Sequence, residues 1–294
     1  MIGAQTQKLK KSKVNPKKIA IDVVCSIIAI VITAIIIFPI LWILPAAFKP
    51  KGELFAIPNT FFPKEATLEN FRIIFSDRAN VNGTGFLQAV GVTTATALIA
   101  MSTSLFVNML AAYAFACLNF RAKKFLWIYI LFTMFVPGIT IMLTSIRVVN
   151  ILSMNDTLFA LFVPGMANAY NIFFFRQYFY AVPASLDEAA SIDGASRFRI
   201  FFTMYLPMSF TPIVIIGIGV FIGSFNSYIW PTLTISNNPR ITQVMQIINS
   251  LSGRFSGNFG VVIAATAVTM MIPITIFAIF QRTIVRGIFI AGLK

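Results

Sequence analysis

Ser185, Asp187 and Glu188 stand at the head of the stretch Pro183-Ala184-Ser185-Leu186-Asp187-Glu188-Ala189-Ala190, and their spacing carries chemistry. Ser185 with Glu188 three positions later fits a capping box, in which each side chain satisfies a free backbone donor at a helix N-terminus. Asp187 and Glu188 also complement the positive end of the helix dipole. Leu186, Ala189, Ala190 and Ile192 then give a small apolar face, Gly194 ends the helix in a turn, and Ser196 starts another. Two readings are open for such a unit. It is either a helix-turn-helix lying on a membrane surface or a docking knob that fits a groove on a partner. Neither is catalysis.

The remaining reactive residues exclude more than they supply. Histidine is absent, which removes His-based triads, imidazole relays and His-metal sites. Cys25 and Cys117 lie within or at the end of apolar runs and form neither a disulfide framework nor a metal-ligand set. No GxxxxGK(S/T) phosphate cradle occurs, so ATP is not held by that device. No metal and no cofactor is expected in this chain. The net charge of +14 would fit nucleic acid. The basic residues cluster instead in short segments between long apolar runs, and no nucleic-acid partner is expected.

The elements that must position these residues are membrane helices. The chain is 58% hydrophobic and only 11% charged, against about 25% charged in a soluble domain. A bilayer core about 30 Å thick needs about 20 apolar residues per crossing. Segments near 23–44, 90–117, 125–146, 158–182, 207–233 and 259–281 meet that requirement. The basic tail 1–22 precedes a run too long for a signal h-region of about 7–15 residues, so the first segment reads as a retained span. With the N-terminus inside, 15 of the 23 basic residues fall on the inner side, which places both termini in the cytoplasm. Pro39, Pro137-Gly138, Pro164-Gly165 and Pro273 interrupt these segments. After Asp22 no acid falls inside a predicted span, which disfavours a proton- or sodium-coupled carrier. Uphill transport would then draw its energy from another polypeptide. The expected fold is an all-α polytopic membrane protein with six transmembrane helices and a short cytoplasmic helix between the fourth and fifth.

The segment Glu188-Ala189-Ala190, then three residues, Gly194, then nine residues and Met204-Tyr205-Leu206-Pro207 resembles the EAA motif of binding-protein-dependent ABC importers. Met204 replaces the usual Ile. Asp187 to Ser196, with Asp193 before Gly194, is similar to the carbohydrate branch of that family, as are Leu110 to Arg121, Phe225 to Pro231 and Phe280 to Gly287. Phe225 stands where that branch has Trp. The resemblance covers nearly the whole chain and points to short, six-helix permeases of the maltose type. It implies a permease domain over 85–282, after a first helix and outer loop over 23–84, and a cytoplasmic C-terminal tail over 283–294. It also implies a second related permease as heterodimer partner, two cytoplasmic ABC ATPase subunits that bind ATP and Mg, and an extracytoplasmic solute-binding protein, assembled in a bacterial cytoplasmic membrane. Asp187, Glu188, Ala189, Ala190, Asp193, Gly194, Leu206 and Pro207 would couple to the ATPase. Asn168, Tyr170, Asn171, Asn226, Tyr228 and Trp230 are candidates to line a path for a sugar or related solute, with interhelical packing the plainer alternative. The polar connection 236–258 reads as a flexible loop or, by analogy, a contact for the solute-binding protein.

Overall fold

The computed structural model describes residues 16–81 and 83–292; Lys8, Lys10, Lys11, Lys13 and Lys294 of the basic tails lie outside the described residues. The first helix, α1 (Pro16–Ala46), passes through Pro39 and Pro45 without interruption. Its apolar side chains from Ile21 to Leu41 are exposed, and only its end is anchored, with Ala46 and Ala47 fully buried. A helix that is apolar all round and uncovered by its own chain belongs in lipid or against another membrane helix. The connection that follows carries α2 (Glu69–Ile74). Its Asn70 is buried and donates to the carbonyls of Ala47 and Lys49, pinning the connection to the end of α1.

The second predicted span is α3 (Phe86–Cys117), whose 32 residues make it the central rod. At 1.5 Å per residue it is about 48 Å long, more than a bilayer core needs. The third predicted span is not one straight helix: α4 (Lys123–Thr133) and α5 (Gly138–Ile151) meet at 107°. Pro137 sits at the boundary, where its ring and missing N–H stop the α4 ladder and open α5. The fourth divides into α6 (Leu158–Phe162), a tight turn at Val163–Gly165 and α7 (Ala169–Tyr180), bent by 50°. After α8 (Ala184–Ile192), a rod runs through α9 (Arg197–Ile200), a π-helical turn (Phe201–Tyr205) and α10 (Leu206–Met208). It meets α11 (Phe210–Phe225) at 80°. The fifth predicted span is therefore also corrected, because its end is a separate short helix, α12 (Ile229–Thr234). The connection read as a plain loop contains α13 (Val244–Arg254), with Val244, Ile247 and Leu251 buried. The last helix, α14 (Phe259–Gly292), runs unbroken through Pro273. Among the described residues three helices are long and apolar enough to cross a membrane alone, and up to six crossings result if each bent pair is one span.

Two apolar clusters hold these helices together along α3. One joins Phe86, Ala89 and Ala97 of α3 to Phe221 and Phe225 of α11, α13 and the start of α14. The other joins Met109, Ala112 and Tyr113 of α3 to Phe175, Phe179, Phe201 and Tyr205. Close approach is extreme at Gly260 on α14, where a Cβ would fall 2.6 Å from the Asn70 amide nitrogen.

Candidate functional site

The loop between the fourth and fifth spans forms the predicted helix, but its start differs from the expectation. α8 begins two residues earlier than a Ser185 cap would set it, at Ala184, with Pro183 as the cap residue and no side-chain cap bond. Ser185 and Glu188 thus lie inside the helix, and the capping box does not form; Glu188 is not a capping residue. Pro183 takes the boundary because its carbonyl accepts from the Leu186 N–H (3.1 Å) while it has no N–H of its own to satisfy.

The exit matches the expectation in detail. Gly194 has a φ of 78°, in the left-handed region. The N–H of Ala195 donates to the Ala190 carbonyl (3.0 Å) and that of Gly194 to the Ser191 carbonyl (3.2 Å). This is the Schellman pattern, which closes a helix through one left-handed residue. Ser196 then caps α9, accepting from the Arg199 N–H at 3.3 Å.

Asp187 is the residue that braces the unit. Its Oδ2 accepts from Arg197 Nη1 at 2.8 Å across the turn. The Tyr113 hydroxyl, on α3, donates to the Arg197 carbonyl at 3.3 Å. Ala190, Ala195, Met204 and Leu206 pack on the aromatic cluster around Tyr113. Ala189, Glu188, Asp193 and Pro207 remain exposed, together with Leu186, Phe198 and Ile192, whose exposure is 85%. The two alanines therefore divide their work: Ala190 meets the bundle and Ala189 faces outward. Pro207 cannot donate to the carbonyl four residues back, and the helix widens into its π-helical turn just before it.

A second site lies halfway along α3. A cavity of about 270 Å³ opens between α3, the α6–α7 break, α11 and α12. Asn168, Asn171 and Trp230 line it. Asn168 caps α7, its Oδ1 accepting from the Asn171 N–H (3.2 Å), and Trp230 Nε1 donates to the Ala160 carbonyl (2.8 Å). Tyr170, Asn226 and Tyr228 do not line this cavity. Tyr170 is exposed beside Phe174, Asn226 is exposed at the end of α11, and the Tyr228 hydroxyl accepts from Asn249 Nδ2 (2.7 Å). Thr96, Ser104, Ser224, Ser227 and Gln243 complete the polar wall and were missed by sequence reasoning. Small hydroxyl residues in apolar runs give no pattern of their own.

Asn108 was missed too, although an amide inside an apolar run is a signal. Its Nδ2 donates to the Met166 carbonyl (2.9 Å) and its Oδ1 accepts from the Asn168 N–H (2.8 Å). One side chain thus satisfies both edges of the α6–α7 break, as irregular backbone at membrane depth requires. On the side of the bundle away from α8, Asp156 Oδ1 accepts from the N–H groups of Ser236 (2.7 Å) and Asn237 (2.8 Å). Those bonds, the Asn237 amide first, hold its carboxyl below the ordinary carboxylate range.

Comparison with known proteins places this geometry. The model of the family "Binding-protein-dependent transport system inner membrane component" matches residues 108–290. The chain is 28% identical to the arabinooligosaccharides transport system permease protein AraQ of Halalkalibacterium halodurans over 90% of this chain and 93% of that one. It is 32% identical to the sn-glycerol-3-phosphate transport system permease protein UgpE of Pectobacterium atrosepticum, over 91% and 96%. In fold it is similar to a crystal structure of a bacterial ABC transporter involved in the import of the acidic polysaccharide alginate. The TM-score is 0.77 at 20% identity, covering 92% of this chain and 99% of that one.

Proposed function

Because the chain belongs to the family of binding-protein-dependent transport system inner membrane components, we propose that it moves a sugar or related solute across the cytoplasmic membrane as one of two permease subunits, driven through α8 by separate ATPases. One observation carries the coupling role. A short helix with exposed Leu186, Ala189 and Ile192 is fastened to the membrane rod by Asp187, Arg197 and Tyr113. An exposed apolar face on a braced helix fits a groove on another protein. The brace lets a push on α8 reach α3 and the rod leading to α11.

In this reading two ABC ATPase subunits bind ATP and Mg and take α8 of each permease into a cleft. ATP closes them, α8 moves with the cleft, and the permease pair turns outward; hydrolysis resets it. A solute-binding protein delivers cargo on the outer face, and both termini lie in the cytoplasm. The arabinooligosaccharide and glycerol-phosphate relatives support cargo that is a carbohydrate or a close derivative. Glu188 and Asp193 contribute exposed charge to the docking face, and Ala189 permits close approach.

The test is copurification of the chain with its ATPase and permease partners, followed by ATP hydrolysis with and without loaded solute-binding protein. Hydrolysis accelerated by the loaded protein is expected. The Ala189→Trp complex should assemble yet hydrolyse ATP without uptake. A chain that purifies with no ATPase would sink the reading.

A further inference from the structure

We propose that the segment from Phe55 to Phe62, in the connection between α1 and α2, is a lipid anchor seated at the headgroup–acyl boundary of the leaflet at the C-terminal end of α1. That leaflet is the outer one in the orientation proposed above. The anchor requires only that α1 spans the membrane, whatever the cargo.

The first observation is the surface this segment shows. From Leu54 to Pro63 the chain has no charged residue, while Lys51, Glu53, Lys64 and Glu65 flank it. Leu54 is buried, but Phe55, Ile57, Phe61 and Phe62 are exposed, Ile57 at 98% and Phe62 at 70%. Leaving such a side chain in water forgoes about 1.5–3 kcal/mol. Together they form an apolar patch that needs a cover.

The second observation is where the segment lies. The Phe61 ring meets that of Phe38 on α1 at 6.1 Å between centroids, and the Phe62 ring meets that of Phe61 at 5.0 Å. Phe38 is one helical turn nearer the centre of α1 than Trp42, about 6 Å along the axis. Trp42, with the Lys49 ammonium over its ring at 5.9 Å, has the residue types of a membrane–water boundary. The segment therefore turns back from that boundary along a helix whose exposed side chains are apolar. A depth of about 6 Å falls within the range of about 5–10 Å for elements that lie at the headgroup–acyl boundary. Phe61 and Phe62 thus continue the surface that α1 presents to lipid. At the other end of the segment, Phe55 meets Phe259, the first residue of α14, at 6.0 Å.

The third is how the polar side chains are closed off. Asn59 and Thr60 are the only ones in the segment. Asn59 Oδ1 accepts from Lys49 Nζ (2.8 Å), and its Nδ2 donates to the Leu54 carbonyl (3.2 Å). Thr60 Oγ1 donates to the Phe62 carbonyl (2.7 Å), and the fully buried Lys49 also donates to the Thr60 carbonyl. Just past the segment, the Lys64 N–H donates to Glu53 Oε1 (2.8 Å). Unpaired polar groups are costly against lipid, so irregular backbone there is held at the boundary and gains from internal partners. A protein partner would instead use polar groups at its rim, about one hydrogen bond per 100–200 Å². Here both polar side chains are bonded within the chain, which favours lipid as the cover.

The experiment uses the full complex in nanodiscs of phosphatidylethanolamine and phosphatidylglycerol, with Cys25 and Cys117 replaced by serine. A nitroxide attached at Ile57→Cys or Phe62→Cys should relax more with oxygen, which partitions into lipid, than with a nickel chelate, which stays in water. At Lys51→Cys the order should reverse. Nickel-dominated relaxation at either of the first two positions overturns the proposal. So does shielding from both reagents, because a protein and not lipid would then cover the segment. The unmodified complex gives a second reading that depends on no substitution. A phospholipid with a photoactivatable diazirine on the upper part of its acyl chain should attach to the tryptic peptide 52–64. Adducts on the α1 peptide 19–51 with none on 52–64 would leave the segment in water and overturn the proposal.

Discussion

At the scale of single residues, Gly194 and Asp187 decide how α8 is presented. A left-handed backbone costs an L-residue about 1–2 kcal/mol, and branching at Cβ makes it worse. No atom lies within 4 Å of a Cβ built at Gly194, so the penalty there is one of backbone and not of space. Gly194→Val should raise the ATP consumed per solute imported, while Gly194→Asn, a residue that tolerates this region, should raise it less; paired uptake and phosphate-release assays check this. The Asp187–Arg197 pair is half-exposed on the arginine side, with side-chain exposures of 19% and 52%. Such pairs are worth about 0–1 kcal/mol. Asp187→Ala should therefore leave the melting temperature in detergent nearly unchanged and lower uptake, because what it loses is the orientation of α8. A large drop in melting temperature would assign the pair to stability instead.

At the scale of elements, the breaks in the spans are stabilised by particular side chains. Asn108→Leu leaves the Met166 carbonyl and the Asn168 N–H without their partner, at about 1–3 kcal/mol for each group. Its melting temperature should fall well below that of the parent, and the cavity beside the break should lose its shape, read as loss of uptake. Asp156 does the same work for the segment after α12. A carboxyl whose folded value is lowered contributes stability that is present above its unfolded value, near about 3.9, and is lost as pH falls through the folded one. Asp156→Ala should therefore melt lower than the parent at pH 7, and the gap should close as the pH is taken below about 4. A gap independent of pH would mean that the carboxylate is not the group responsible.

At the scale of the molecule, the exposed apolar length of α1 and the exposed face of α8 look to different surroundings, one to lipid or a membrane partner and the other to a soluble one. Orientation makes a direct prediction. With Cys25 and Cys117 replaced by serine, a membrane-impermeant maleimide should label Ile192→Cys only from the cytoplasmic side and Ser256→Cys only from the outer side. The reverse labelling would invert the orientation inferred from the basic residues and separate α8 from any cytoplasmic ATPase.

The sequence by itself determined the class of molecule and the exit of α8. Long apolar runs leave no solvent but lipid for most of the chain, and a glycine after an alanine-rich helix followed by serine specifies a local stop and restart that needs no distant partner. The start of α8 departs from the expectation because local spacing suggested a serine cap, whereas Pro183 set the boundary two residues earlier. Only the tertiary structure decided the rest. Hydropathy cannot register that Pro137 turns one apolar run through 107°, since a bent pair and a straight span have the same composition. Nor does spacing reveal that Asn108 closes the break some sixty residues away, that Asp187 reaches Arg197, or that Thr96 meets Asn171 and Trp230 around one cavity. Those contacts depend on which faces of α3, α7 and α11 are pressed together, and side-chain packing across the bundle sets that.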